Sequence, residues 1–245
     1  DDSARIKSIK ENIDNMVATE KSNDWSWVDC LQMSMPVYTR LGLRFKDDRY
    51  FKKMHDLYTD TKVKLYNQQE HLWWRDKDFI PPYKEPNGTN CYWSRGNGWV
   101  FAALARTLDL LPVNAPYRAE YVKDFQDMAA ALLPLQRKDG FFNVSLTDES
   151  NYGGPELTGS ALFVYGMSWG LRQGLLPASK YQKLVDKGWK AIDSCVQPTG
   201  FLSYVQGTGK EPKDSQPVTK TSVPNFEDFG VGCYLLAGSE ILKAK

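Results

Sequence analysis

The hydrophobic pattern of this 245-residue chain alternates between two kinds of helix. In the first kind a single face is apolar. Over residues 117–136, Tyr121, Phe125, Met128, Leu132 and Leu135 recur at steps of three and four, which turns one side toward a single neighbour. Residues 5–19, 48–65 and 178–195 read the same way, as outer helices. The second kind is apolar or small nearly all round, as in the runs from Val100 to Ala105 and from Ala161 to Met167, and has to be surrounded by other helices.

Four segments of the second kind, over 25–41, 92–111, 157–171 and 227–242, follow polar, aromatic and glycine-rich lead-ins. With Trp27, Trp93, Thr158 and Asp228 as markers, they recur at intervals of 66, 65 and 70 residues, the signature of a repeat. A second repeated piece follows three outer helices: 70–74, 138–142 and 198–202 each set a turn residue before two aromatic or apolar ones. His71 stands where the other two copies have Gly140 and Gly200. The pattern predicts an all-α ring of helical hairpins, one domain over residues 1–245, with inner helices running parallel. Their N-terminal lead-ins then gather at one end, where free N–H groups favour an anionic ligand. A closed ring of six hairpins needs about twelve helices at this period, and eight are legible. The ring is therefore expected either to be smaller or to lack its N-terminal hairpins, the chain being truncated at that end.

Composition narrows the chemistry. Lys and Arg number 31 against 30 Asp and Glu, a balance that provides no field for nucleic acid or for an anionic membrane. No apolar run reaches transmembrane length and no signal peptide is visible. The four cysteines lie far apart, so neither a zinc site nor a disulfide framework is expected, and they read as buried thiols. With two histidines, His-cluster chemistry is excluded; no cofactor and no metal are expected. The 8 Trp, 13 Tyr and 11 Phe, many beside Gly, Asn, Asp or Arg, suit either a large helical core or the flat faces of sugars.

The candidate reactive groups lie in the lead-ins. Asp29 reads as one turn into an aromatic and apolar helix, ahead of Leu31, Met33 and Met35. A carboxyl there is partly desolvated, which raises its pKa, although an Asp in this place also suits helix capping. Arg95, between Trp93 and Trp99 with Gly96 and Gly98 beside it, offers a planar fork to a carboxylate. It suits equally an Arg paired to a structural acid under two core tryptophans. Glu156, Glu227 and Asp228 could pair with Asp29 as in a conventional inverting glycosidase, or complement helix dipoles.

Trp25-to-Tyr38 (WSWVDCLQMSMPVY), Tyr92-to-Ala103 (YWSRGNGWVFAA) and Leu157-to-Gly170 (LTGSALFVYGMSWG) resemble the unsaturated rhamnogalacturonyl hydrolases of glycoside hydrolase family 105 and, more distantly, the unsaturated glucuronyl hydrolases of family 88. The similarity runs over essentially the whole chain. It implies a six-hairpin α/α toroid that acts on oligosaccharides ending in a 4,5-unsaturated uronic acid. One Asp, here Asp29, protonates C4 of the enol ether and then, as carboxylate, helps water add at C5. Trp93, Arg95 and Trp99 correspond to residues lining the subsite for that sugar, and Trp25, Met33, Arg75 and His71 complete the expected substrate contacts. Arg75 follows Trp73-Trp74 where the family often has a histidine. The family's N-terminal helices, which bring a second aspartate opposite the first, have no counterpart before Asp1, so weak activity or none is expected of the chain alone. A bacterial periplasmic or secreted location is expected, with the cytoplasm as the alternative. A non-catalytic glycan-binding protein is the rival outside enzymes.

Overall fold

A computed structural model describes residues 2–221 and 228–243. The outer helices are α1 (Asp2–Val17), α3 (Asp48–Leu65), α5 (Arg118–Leu132) and α7 (Ala178–Asp193). The inner ones are α2 (Asp29–Phe45), α4 (Ser94–Leu110), α6 (Leu157–Arg172) and α8 (Asp228–Lys243). All eight predicted helices are present. A small antiparallel hairpin, β1 (Tyr66–Asn67) with β2 (Leu72–Trp73), follows α3 and pairs Tyr66 with Trp73.

The inner helices pack in series, α2 on α4, α4 on α6 and α6 on α8, while α3, α5 and α7 cover α2, α4 and α6 from outside. The result is an arc of the α/α-toroid architecture. Enclosure follows position in the arc. In α6 every residue from Leu157 to Gly170 is buried, whereas α2 and α8, at its two ends, leave Met33, Leu43, Val231 and Leu235 exposed. Among the described residues no helix is long and apolar enough to cross a membrane.

Small residues set the spacing between inner helices. A Cβ on Gly159 would stand 2.8 Å from the backbone of Ser94, and one on Gly98 would stand 3.3 Å from the Cα of Gly159, so α4 and α6 touch backbone to backbone at these points. Gly98 thus serves helix contact rather than substrate approach.

α2 and α4 begin later than the segments 25–41 and 92–111, at Asp29 and Ser94, while α6 begins at Leu157 as read. Residues ahead of them are extended and bridged: Trp27 pairs with Asp76, Trp93 with Ser145 and Phe142 with Glu156. These bridges satisfy backbone groups that would otherwise continue the helix N-terminally. Asp29 is therefore the first residue of α2, not one turn inside it. The three repeated turns behave alike. His71, Gly140 and Gly200 have φ of 55°, 98° and 85°, and at His71 a side chain occupies the left-handed region that the other copies fill with glycine.

Candidate active site

The lead-ins do gather at one end. The Val28 N–H donates to Arg75 O at 3.0 Å and the Leu157 N–H to Tyr204 O at 2.8 Å, which ties the starts of α2 and α6 to loops, and the Ser94 hydroxyl donates to Glu156 at 3.2 Å, which ties the starts of α4 and α6 to one another. Asn97 locks β2 to α4. Its Oδ1 accepts from the Trp73 N–H at 2.9 Å and its Nδ2 donates to the Trp73 and Trp93 carbonyls at 3.0 and 3.1 Å.

Asp29 opens α2 at this end, with its side chain 22% exposed. Its Oδ1 is buried and makes no hydrogen bond, and neither does the buried Nε of Arg75, which stands 3.9 Å away. Burial raises the Asp29 pKa from its ordinary value; Arg75, then Arg95, pull it down, and Asp76 adds to the rise. Burial prevails. Arg75 is held in turn by Asp76, whose Oδ2 accepts from Nη1 at 2.6 Å, while Oδ1 of Asp76 caps the short 3-10 turn Lys77–Phe79 through the Asp78 N–H. The guanidinium lies 5.7 Å from the ring of Trp27. Trp27, Arg75, Asp76 and Asp78 line a cleft of about 490 Å³. A larger groove of about 650 Å³ runs beside Ile6, Val37, Leu41 and Leu110, at the far end of α2, and takes no part in this chemistry.

The other expected contacts divide. Met33, four residues along α2 from Asp29 and on the same face, is exposed. Trp25, Trp93 and Trp99 are buried: Trp25 packs edge-on against Tyr38, and the Trp93 indole donates to Gln206 Oε1 at 2.8 Å. The exposed indole is Trp27, at 40%. Trp27 is bridged to Asp76 and its ring is left to the cleft, while Trp25, two residues earlier, is buried. Arg95 is buried at 3%, sandwiched against Trp93 at 4.4 Å and Phe229 at 4.7 Å. Two of its nitrogens donate to the Gln206 and Gly207 carbonyls at 2.5 and 2.8 Å. Its fork therefore grips a loop, and its positive charge reaches Asp29 from there. His71 lies on the outer layer, its Nδ1 2.8 Å from the Tyr66 hydroxyl and 3.9 Å from Asp127 of α5, and it is not among the residues that line the cleft beside Arg75.

Glu156 is fully buried and caps α6, accepting from the N–H groups of Thr158 and Gly159 and from the Thr158 and Ser94 hydroxyls. That many donors make it a structural carboxylate. Glu227 and the side chain of Asp228 lie outside the described residues. Sequence reading missed Gln206, whose Nε2 donates to the carbonyls of Glu211, Pro212 and Asp214 and so shapes the loop that Arg95 holds. It missed Asp76 as well, a charge next to the predicted Arg75. All four cysteines are free, and Cys91, Cys195 and Cys233 are buried. Among the described residues no cluster of three or more His, Cys, Asp or Glu is placed to hold a metal ion.

A single acid with a raised pKa, flanked by arginines and an exposed indole, suits proton transfer to an anionic sugar. The sequence profile described as Glycosyl Hydrolase Family 88 matches residues 4–245. The chain belongs to this family. Its relatives include an unsaturated 3S-rhamnoglycuronyl hydrolase of Formosa agariphila, 37% identical over 92% of this chain and 60% of the relative. A protein of the same name from an Alteromonas species is 31% identical over 89% of this chain and 51% of its own length. The chain thus spans between about half and three fifths of these curated relatives. A solved glycosyl hydrolase family 88 protein from Bacteroides vulgatus superposes with a TM-score of 0.93 at 36% identity, covering 98% of this chain and 69% of that one.

Proposed function

We propose that this family 88 chain releases a terminal 4,5-unsaturated uronic acid from oligosaccharides, with Asp29 as both proton donor and proton acceptor. The observation that carries the reading is the buried, hydrogen-bond-free Oδ1 of Asp29 beside Arg75. Burial raises the pKa of this carboxyl and so favours its protonated form, the form that a proton donor needs. In the proposed reaction the Asp29 proton passes to C4 of the enol ether and positive charge develops at C5 and the ring oxygen. Asp29, now a carboxylate, takes a proton from the water that bonds to C5, which restores the acid. The hemiketal then opens and the next sugar leaves. Arg75 faces the substrate carboxylate, Trp27 covers a sugar face and Met33 borders the same helix face. The names of the relatives support this substrate class.

The test is the choice of substrate. Lyase-generated oligosaccharides should lose the ultraviolet band of their conjugated double bond, and in D2O the product should carry deuterium at C4. Cleavage of saturated oligosaccharides with the unsaturated ones left intact would instead establish a conventional two-carboxylate glycosidase.

A further inference from the structure

A second cavity, of about 280 Å³, opens between three loops at the same end of the helices. Tyr83 and Lys84 come from the loop ahead of α4, Asn151 and Tyr152 from that ahead of α6, and Glu211 and Lys213 from that ahead of α8. Aromatic rings interleaved with amide, carboxylate and ammonium groups match the surface of a sugar, apolar on its faces and hydroxylated at its rim.

Both rings keep free faces, Tyr83 being 37% and Tyr152 39% exposed. Tyr152 also holds φ at 59°, a backbone region that costs an aromatic residue energy and persists where surrounding contacts enforce it. Those contacts are present. Asn151 donates to the buried carboxylate of Glu85, which also accepts from the Ser145 hydroxyl at 2.9 Å. The facing wall is fixed by Gln206 and by Asp214, whose Oδ2 accepts from the Lys210 N–H at 2.7 Å. Lys213 Nζ is held 2.9 Å from Glu211 and Lys84 Nζ donates to Asn90 Oδ1 at 2.8 Å, so both ammonium groups are fixed beside the rings, where they can also meet an anionic group.

The two cavities adjoin. Phe79 meets Tyr83 edge-on at 5.3 Å, and Lys210 Nζ lies 5.9 Å over Phe79 and 3.6 Å from Asp78, a residue of the first cleft.

We propose that this cavity is a second saccharide subsite, which takes a unit bearing a carboxylate or sulfate farther along the oligosaccharide whose unsaturated end lies at Asp29. The direction of the bound chain rests on the proposed function; the binding does not require turnover. Calorimetric titration of Asp29→Asn protein with unsaturated di- and tetrasaccharides tests it. The tetrasaccharide should bind about tenfold tighter. Tyr152→Ala and Lys213→Met, both at exposed positions, should each remove most of that gain and leave disaccharide affinity unchanged. Equal affinity for the two lengths, including no measurable binding of either, or a gain that survives both substitutions, would overturn the subsite. A gain kept by unsulfated tetrasaccharides assigns the lysines to a carboxylate, and one confined to sulfated chains assigns them to sulfate. Absence of turnover in the parent protein with the length dependence intact would sink the hydrolase reading alone.

Discussion

Asp29 Oδ1 and Arg75 Nε face each other across 3.9 Å, both buried and neither hydrogen-bonded. The gap is too long for a hydrogen bond and short enough for charge to act. Arg75 therefore lowers the Asp29 pKa without hydrogen-bonding its Oδ1, while Asp76 binds the guanidinium through Nη1.

Two substitutions should move the pH profile in opposite directions. Asp29 must be protonated to begin the reaction, so the rate falls on the alkaline side of its pKa. Arg75→Met removes the largest influence that lowers this pKa, and the alkaline limb should shift upward. Asp76→Asn removes a charge that raises it, and the limb should shift downward. Rate–pH profiles of the two variants check this; shifts of the same sign, or none, contradict it.

Asp29→Asn should stabilise the protein near neutrality. A raised folded-state pKa means that the folded protein holds the proton more tightly than the unfolded chain, so stability is lost as pH climbs from the unfolded value through the folded one. Asparagine carries no charge to desolvate. The gain should be on the order of 1 kcal/mol at pH 7, the usual scale of stability given up at functional sites, and should shrink below the ordinary carboxylate range. Denaturant unfolding at the two pH values measures it, and a gain independent of pH tells against a raised pKa.

Asn97→Ala should cost about 2–4 kcal/mol, because it strands two buried backbone groups of Trp73 that the amide now satisfies. Chemical denaturation gives the value directly. A loss below about 0.5 kcal/mol, the size of an ordinary surface change, would mean that the lock between β2 and α4 is not needed.

The tryptophans should separate into two classes. Trp27→Ala should raise KM roughly tenfold with little change in Tm, since the exposed ring meets the cleft. Trp99→Ala should instead cost about 3–5 kcal/mol of stability, as expected for a buried aromatic. Steady-state kinetics and melting curves on both variants decide whether the indoles are divided in this way.

The helices were legible because burial imposes a period. Tyr121, Phe125, Met128 and Leu132 mark one face of α5, and the all-round apolar run from Ala161 to Met167 marks a helix with neighbours on every side. Asp29 was legible as an acid in apolar company. What the pattern does not encode is direction. Trp25 and Trp27 have the same chemistry, and the bridge between Trp27 and Asp76 turns one inward and the other outward. Arg95 reads as a ligand fork, but its partners are backbone carbonyls more than a hundred residues downstream, which carry no side-chain signature. His71 belongs to a turn position, and its left-handed backbone sends it toward α5.

The proton chemistry of Asp29 is tested most directly by following the ultraviolet band of an unsaturated oligosaccharide with wild-type protein and with Asp29→Asn, alongside equilibrium binding of the same sugar. Turnover should fall by about 10²–10⁴, the range expected for loss of a general acid–base, while affinity stays within about threefold. Turnover by Asp29→Asn within a few-fold of wild type would assign the proton to another group.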